Sequence, residues 1–119
     1  MLKDNHIDFC GGVNIALLKT KAYVDALDKP VPVIVETRNL QEVDFCLQNS
    51  WISRILLDNM APKDLALAVS HINGNIPTEA SGNIDLENVA AYAETGVDYV
   101  SLGAITHSAS IVDLSLRAV

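Results

Sequence analysis

A single stretch of the sequence decides the fold of this chain: Thr78-Glu79-Ala80-Ser81-Gly82-Asn83-Ile84-Asp85. Apolar residues lead into it, a Ser-Gly pair interrupts the extended run, and Asn83 or Asp85 can cap a following helix. We therefore predict a strand, a tight turn and a helix start. Glycine lets backbone or ligand approach closely, and the free N–H groups of a helix's first turn favour an anion. An ordinary strand-to-helix turn, common in α/β proteins, is the alternative interpretation.

The same unit recurs on both sides of this stretch. Strands are predicted at residues 31–35, 51–57, 76–80 and 97–102, with a strand end and exit loop at 1–7 and a final strand or extended tail at 111–116. Helices are predicted at 13–27, 40–47, 62–72 and 86–93, with Asn39 and Glu42 at capping-box spacing and Pro62 in a first turn. Short connections require right-handed crossovers, which make the sheet parallel. The prediction is one α/β domain over residues 1–119.

Composition excludes several classes of function. Half of the 119 residues are hydrophobic and only 5% are aromatic, as expected for a parallel sheet covered on both faces. The net charge of −7 argues against nucleic acid, which needs clustered Lys and Arg. Cys10 and Cys46 lack the spacing of a zinc site or disulfide scaffold, so both are predicted to be reduced and to act as small apolar residues. No apolar run approaches the roughly 18 residues of a membrane helix, so the cytoplasm is the expected compartment.

Polar residues or glycines follow five successive predicted strands, where each strand ends. In chain order they are Lys3, Glu36, Asp58, Glu79 with Ser81, and Gly103 with His107. The carboxyl ends of strands in a parallel barrel or open sheet share one rim, where ligands bind. Their common placement therefore predicts a binding site at this rim.

Each of these residues has a structural alternative when it is taken singly. Lys3 can be a solvated lysine, Glu36 and Asp58 can be surface or capping carboxylates, and His107 can be a loop histidine without metal. As a pair, the two carboxylates could hold sugar hydroxyls or the water shell of Mg²⁺, which prefers one or two carboxylates together with substrate phosphate oxygens. The glycine-containing turns on the last loops match the position where barrels often bind phosphate.

Five segments of the sequence also form an ordered set of motifs. They are Leu2-Lys3-Asp4-Asn5-His6-Ile7, Val35-Glu36-Thr37-Arg38-Asn39-Leu40, Leu56-Leu57-Asp58-Asn59-Met60, Glu79-Ala80-Ser81-Gly82-Asn83-Ile84 and residues 96–108, GVDYVSLGAITHS. In this order and at similar spacing they resemble the quinolinate phosphoribosyltransferases, also called nicotinate-nucleotide diphosphorylases (carboxylating). The resemblance covers essentially the whole chain.

This resemblance implies an open, seven-stranded α/β barrel, of which the chain would form a partial (β/α) barrel of roughly five to six strand–helix units. The implied reaction joins quinolinate to phosphoribosyl diphosphate, with Mg²⁺, and gives nicotinate mononucleotide, diphosphate and CO₂ in NAD biosynthesis. The implied catalytic residues are Lys3, Glu36 and Asp58, the last two at the ribose or the metal shell, and the implied phosphate-binding residues are Ser81, Gly82, Asn83, Gly103 and His107. Direct metal ligands are not implied.

Departures from the family pattern limit the function that the resemblance implies for this chain. The N-terminal sandwich domain and the first barrel strands of the family have no counterpart here, and Arg38, Arg54 and Arg117 lie outside the segments that grip the quinolinate carboxylates. Ile34 replaces a Glu that many members carry two residues before the catalytic-site Glu. Two hypotheses follow: a phosphoribosyltransferase that needs its other half, or a non-catalytic fragment or paralogue that retains the phosphate-binding rim. An incomplete barrel leaves open strand edges, so a homo-oligomer is expected.

Overall fold

The computed structural model describes residues 1–106 and Leu116. Its sheet contains four parallel strands in the order β1 (Ile34–Thr37), β2 (Arg54–Asp58), β3 (Thr78–Ser81) and β4 (Tyr99–Val100). The helices are α1 (Asp4–Cys10), α2 (Val13–Asp25), α3 (Leu40–Leu47), α4 (Pro62–Ile72) and α5 (Val89–Ala93), and a 3₁₀ turn spans Gly103–Ile105. The predicted parallel α/β architecture is confirmed. The prediction for residues 111–115 lies outside the described residues.

A fifth strand position is marked by a single residue. Leu2 pairs in parallel with Val35, its N–H donating to the Ile34 carbonyl (2.8 Å) and its carbonyl accepting from the Glu36 N–H (2.9 Å). The predicted strand end is therefore present, but the predicted exit loop is wrong because α1 begins at Asp4. The Lys3 N–H donates to His6 Nδ1 (3.0 Å), which satisfies a backbone donor at the start of the helix.

The two faces of the sheet differ in chemistry. Because strand side chains alternate, residues paired in register share a face. One face carries Val35, Ile55, Leu57 and Ala80, all at most 1% exposed and part of the hydrophobic core. Helix residues that complete this core include Leu17, Val43, Leu65 and Ile72. The opposite face carries the polar residues of the predicted rim, so the strand pattern separates packing from the candidate site.

Three helix starts, those of α2, α3 and α4, follow the sequence prediction. Asn39 caps α3 by accepting the Glu42 N–H (3.0 Å), and Pro62 lies in the first turn of α4. The second half of the capping box is wrong: the Glu42 carboxylate accepts the N–H of Arg38 (2.7 Å) and its guanidinium (2.7 Å). Asp8 of α1 contacts the same guanidinium (3.0 Å), so an ion-pair network joins α1 to the β1–α3 loop.

Strand limits differ from the predicted runs, and β4 contains only two of the six residues predicted for it.

Both cysteines are free. Burial raises the pKa of the Cys46 thiol to about 12, in keeping with the predicted role as a small apolar residue. Within residues 1–106, no helix is long and apolar enough to cross a membrane.

Candidate active site

Three predicted site residues lie on one face of the sheet at neighbouring strand ends. Asp58, the last residue of β2, is the register partner of Ser81, the last residue of β3. Glu36 of β1 pairs with Leu56, two residues before Asp58, and therefore points to the same side of the sheet. Register thus brings together side chains that are separated by 22 or more residues in the sequence.

Glu36 is a carboxylate in a buried position, with only 7% of its surface exposed. Burial raises its pKa, and the negative charge of Asp58 raises it further, while the hydrogen bond from the Asp4 N–H to Oε1 (3.1 Å) and the charge of Lys3 act in the opposite direction. The net effect is a raised pKa. This carboxylate is therefore stabilised by any positive charge that enters the space beside Asp58.

Replacement of Glu36 by Gln is expected to leave the chain at least as stable as the wild type at pH 7. Since the folded pKa is raised, the stability linked to this group is complete below about pH 4.5 and is lost as pH rises through the folded pKa. As the pH rises from 4 to 7, the melting temperature of the wild type should therefore fall relative to that of Glu36→Gln. Glu87→Gln, an exposed carboxylate outside the rim, is the control; a variant less stable than the wild type only at pH 7 would contradict the prediction.

Lys3 lies on the side of the sheet that carries Glu36. Leu2 is the register partner of Val35, so the next residue points to the opposite face. The ammonium is exposed, and its charge reaches Glu36 strongly enough to oppose the rise in that carboxyl's pKa. An exposed cation therefore lies close enough to Glu36 to act on its charge.

The Ser81-Gly82 turn and the helix predicted after it are both present, but the predicted start and cap of that helix are wrong. Neither Asn83 nor Asp85 caps a helix, because α5 begins only at Val89, after an irregular turn. Asp85 Oδ1 instead accepts the N–H groups of Glu87 (2.9 Å) and Asn88 (3.0 Å), which closes a local turn. A helix dipole therefore does not contribute at the turn, and an anion there would rely on loop N–H groups and side chains.

Asn59 is the site residue that the sequence did not single out. It adopts the left-handed conformation (φ 53°), and its N–H donates to the Ser81 carbonyl (2.8 Å). Its side-chain Nδ2 donates to Asp58 Oδ2 (2.7 Å), and its Oδ1 accepts from Asn83 Nδ2 (3.2 Å). The Asp-Asn pair directly after a strand was the available signal, because Asn tolerates positive φ in tight turns.

A partly buried ion pair, Arg54–Glu79, lies on the same face, further from the rim. Glu79, expected at a strand end, is the second residue of β3 and is only 8% exposed. It accepts hydrogen bonds from Arg54 Nη1 (2.8 Å) and from the Ser101 hydroxyl, and the guanidinium stacks 3.9 Å from the centre of the Tyr99 ring. Burial alone would raise the pKa of Glu79, but these hydrogen bonds outweigh burial and hold the pKa below its usual value. The network connects β2, β3 and the residue after β4.

The last predicted turn is only partly described. Gly103 begins the 3₁₀ turn three residues after β4, which is the neighbour of β3 in the sheet. His107 lies outside the described residues. Within residues 1–106, no three His, Cys, Asp or Glu side chains are grouped as metal ligands. A cation at the rim would therefore take at most two carboxylates from this region, with water or substrate oxygens completing its shell.

Comparison with known proteins identifies the family. The family profile described as "Quinolinate phosphoribosyl transferase, C-terminal domain" matches residues 1–117. The chain belongs to the quinolinate phosphoribosyltransferase family. Curated relatives include the chloroplastic nicotinate-nucleotide pyrophosphorylase [carboxylating] of Oryza sativa subsp. japonica, 41% identical over 98% of this chain and 35% of the rice protein. The corresponding Mycobacterium leprae protein is 40% identical over 98% of this chain and 40% of its own length.

Solved structures confirm the partial barrel. The structure of the nicotinate-nucleotide pyrophosphorylase from Francisella tularensis superimposes with a TM-score of 0.78 at 39% identity, covering 98% of this chain and 40% of that protein. The chain therefore spans well under half the length of these relatives. Some plant relatives carry "chloroplastic" or "mitochondrial" in their names, and the cytoplasmic assignment of this chain stays a prediction.

Proposed function

We propose that this chain supplies the phosphoribosyl-binding half of a quinolinate phosphoribosyltransferase site. The observation that carries the proposal is the register pairing of Asp58 with Ser81, beside buried Glu36 and the ammonium of Lys3. This arrangement offers carboxylates for ribose hydroxyls, loop N–H and hydroxyl groups for a phosphate, and a cation for diphosphate. Family membership supports the assignment of quinolinate and phosphoribosyl diphosphate as substrates.

The reaction requires charge stabilisation more than covalent participation by the protein. The bond between ribose C1 and the diphosphate oxygen breaks, and the pyridine nitrogen of quinolinate bonds to C1. One ring carboxylate then leaves as CO₂, and a proton from solvent bonds to the ring carbon that carried it. Positive charge develops on the ribose as diphosphate departs. This positive charge develops only in the transition state. The Glu36 and Asp58 carboxylates, which repel one another in the free protein, therefore stabilise the transition state more than the ground state. Lys3 would neutralise the departing diphosphate.

The two carboxylates also fit the proposed use of Mg²⁺. They are hard oxygen donors on one face, and burial and mutual repulsion already favour a cation beside Glu36. Glu36 and Asp58 would hold the ion mainly through its water shell, while substrate phosphate oxygens would occupy the remaining positions. When bound, Mg²⁺ would neutralise diphosphate and favour its departure.

A binding experiment tests this proposal without requiring turnover. Titration of the ¹⁵N-labelled chain with phosphoribosyl diphosphate and Mg²⁺ should shift the amide resonances of Ser81, Gly82, Asn83 and Gly103. Asp58→Asn should weaken binding by about tenfold, the effect of one lost interaction with a charged group. Asp64→Asn, on the first turn of α4, is the matched control. Equal affinities for the wild type and Asp58→Asn would contradict the proposed site.

The isolated chain is expected to show negligible quinolinate turnover. Arg38 is held by Asp8 and Glu42, and Arg54 by Glu79, so neither guanidinium of the described region is available for the two quinolinate carboxylates. Addition of the portion of the M. leprae relative that precedes the matched region should restore nicotinate mononucleotide formation. Turnover by the chain alone at the rate of a full-length relative would overturn this prediction.

A non-catalytic role for a self-associating chain is the second candidate. Large apolar side chains of α1 and α2, including Phe9 (78% exposed), Leu18 (66%) and Tyr23 (68%), favour association through the hydrophobic effect. Sedimentation at micromolar concentration is expected to show a homo-oligomer. A monodisperse monomer would remove the basis for this candidate.

A further inference from the structure

The β2 exit and the β3 exit are joined by more than the sheet ladder. Asn59 contributes its backbone N–H to the Ser81 carbonyl and both ends of its side chain to Asp58 and Asn83. One residue therefore contacts the carboxylate on one strand end and the turn on the next. Its carboxamide cannot rotate without losing one of its two side-chain hydrogen bonds.

Gly82 shows how closely the two loops approach. A Cβ atom placed there would lie 2.3 Å from Asn59 Oδ1 and 2.5 Å from its Cγ. The carboxamide therefore lies directly against the Cα of Gly82, at a separation that no other residue type permits. The Asn59 side chain therefore contacts both the Asp58 carboxylate and the Gly82 backbone.

We infer that Asn59 is a positioning residue that holds the Asp58 carboxylate and the Ser81-Gly82 turn at one fixed separation, matched to the ribose hydroxyls and the phosphate of a single phosphoribosyl group. This inference rests on the proposed function. Asp58 would contact the sugar and the turn would contact the phosphate, while Asn59 acts through both and touches neither. The hydrogen bond from its Nδ2 to Asp58 Oδ2 also favours the observed orientation of that carboxylate.

The chain contains a matched control for this role. Asn73, at the C-terminal end of α4, has nearly the same backbone conformation as Asn59, with φ 49° against 53°. Asn→Gly at either position keeps a left-handed backbone without strain and removes only the side chain. Asn59→Gly should weaken phosphoribosyl diphosphate binding by about tenfold, and Asn73→Gly should leave it unchanged. Asn59→Asp keeps the acceptor for Asn83 but loses the donor to Asp58, so it should also weaken binding.

The experiment combines calorimetric titration with ¹⁵N spectra of all three variants and the wild type. In Asn59→Gly, altered amide resonances of Gly82 and Asn83, with a melting temperature close to that of Asn73→Gly, would support positioning over a general loss of stability. Wild-type affinity in Asn59→Gly would overturn the inference. If the wild type itself does not bind phosphoribosyl diphosphate, the proposed function fails; the Gly82 resonance then decides positioning alone, and an unchanged resonance in Asn59→Gly would refute it.

Discussion

Gly82→Ala is expected to destabilise the chain by about 3 kcal/mol and to abolish phosphoribosyl diphosphate binding. The φ angle of +90° disfavours any residue with a Cβ, at a cost of about 1–3 kcal/mol. The added methyl group would also meet the Asn59 side chain at 2.3 Å and its backbone nitrogen at 2.9 Å. The side chain can rotate away only by releasing Asp58 and Asn83, and the backbone nitrogen is tied to Ser81. Overpacking of this kind adds about 1–3 kcal/mol.

Gly11→Ala separates the effect of the positive φ angle from the effect of the contact with Asn59. Gly11 has φ +84°, close to that of Gly82, and a Cβ there would meet nothing within 4 Å. Urea denaturation of both variants should therefore show the larger loss for Gly82→Ala, with the difference attributable to the contact with Asn59. Equal losses would mean that backbone strain alone restricts position 82 and that the close approach of the two loops does not contribute to the free energy of unfolding.

Arg54→Met is expected to lower the free energy of unfolding by about 1–3 kcal/mol at pH 7. It removes the counter-ion and a charged hydrogen bond of the buried Glu79 carboxylate, although water partly screens the Arg54 guanidinium, whose side chain is 30% exposed. Glu79 is 8% exposed, and Ser101 would be its remaining described side-chain donor. Met preserves much of the stem that packs against Tyr99, so the change removes mainly charge and hydrogen bonding. Double replacement, Arg54→Met with Glu79→Met, should recover most of the loss, since buried ion pairs are often replaced by apolar residues at little cost.

The difference in stability between Arg54→Met and the wild type should also change with pH in a defined direction. In the wild type the pKa of Glu79 is lowered, so its contribution to stability is present above about pH 4.5 and is lost as pH falls through the folded pKa. In Arg54→Met the unpaired buried carboxylate should have a raised pKa, and the difference in stability between variant and wild type should shrink as pH falls toward 4. Melting temperatures at pH 4, 5.5 and 7 would test this, and a constant difference across that range would contradict it.

An exposed ion pair serves as the comparison. Lys21 and Asp25 form an i,i+4 pair on α2 with side chains 41% and 59% exposed. Lys21→Met should change stability by less than about 1 kcal/mol, because water and salt screen exposed charges. If both Lys→Met and Arg→Met changes have equally small effects, the Arg54–Glu79 pair is not effectively desolvated.

The sequence predicted those features of the fold that depend on neighbouring residues. Short apolar runs followed by amphipathic segments predicted the parallel sheet, and Asn39 and Pro62 predicted two helix starts. Prediction failed where a side chain had two local partners to choose from. Glu42 bonds to Arg38 instead of closing its capping box, and Asp85 closes a turn instead of capping a helix. Asx turns and helix caps use the same residue types, so composition does not separate them.

Within the site, the sequence by itself predicted that Glu36, Asp58 and the Ser81-Gly82 turn would lie at or near strand ends and share one rim, because parallel strands present their carboxyl ends on the same side. Only the tertiary structure decided that Asp58 is the register partner of Ser81, that Asn59 lies against Gly82, and that Glu79 is buried and paired with Arg54. Register and burial are properties of pairs of strands. They are set by contacts between residues distant in the chain, which no local pattern of residue types contains.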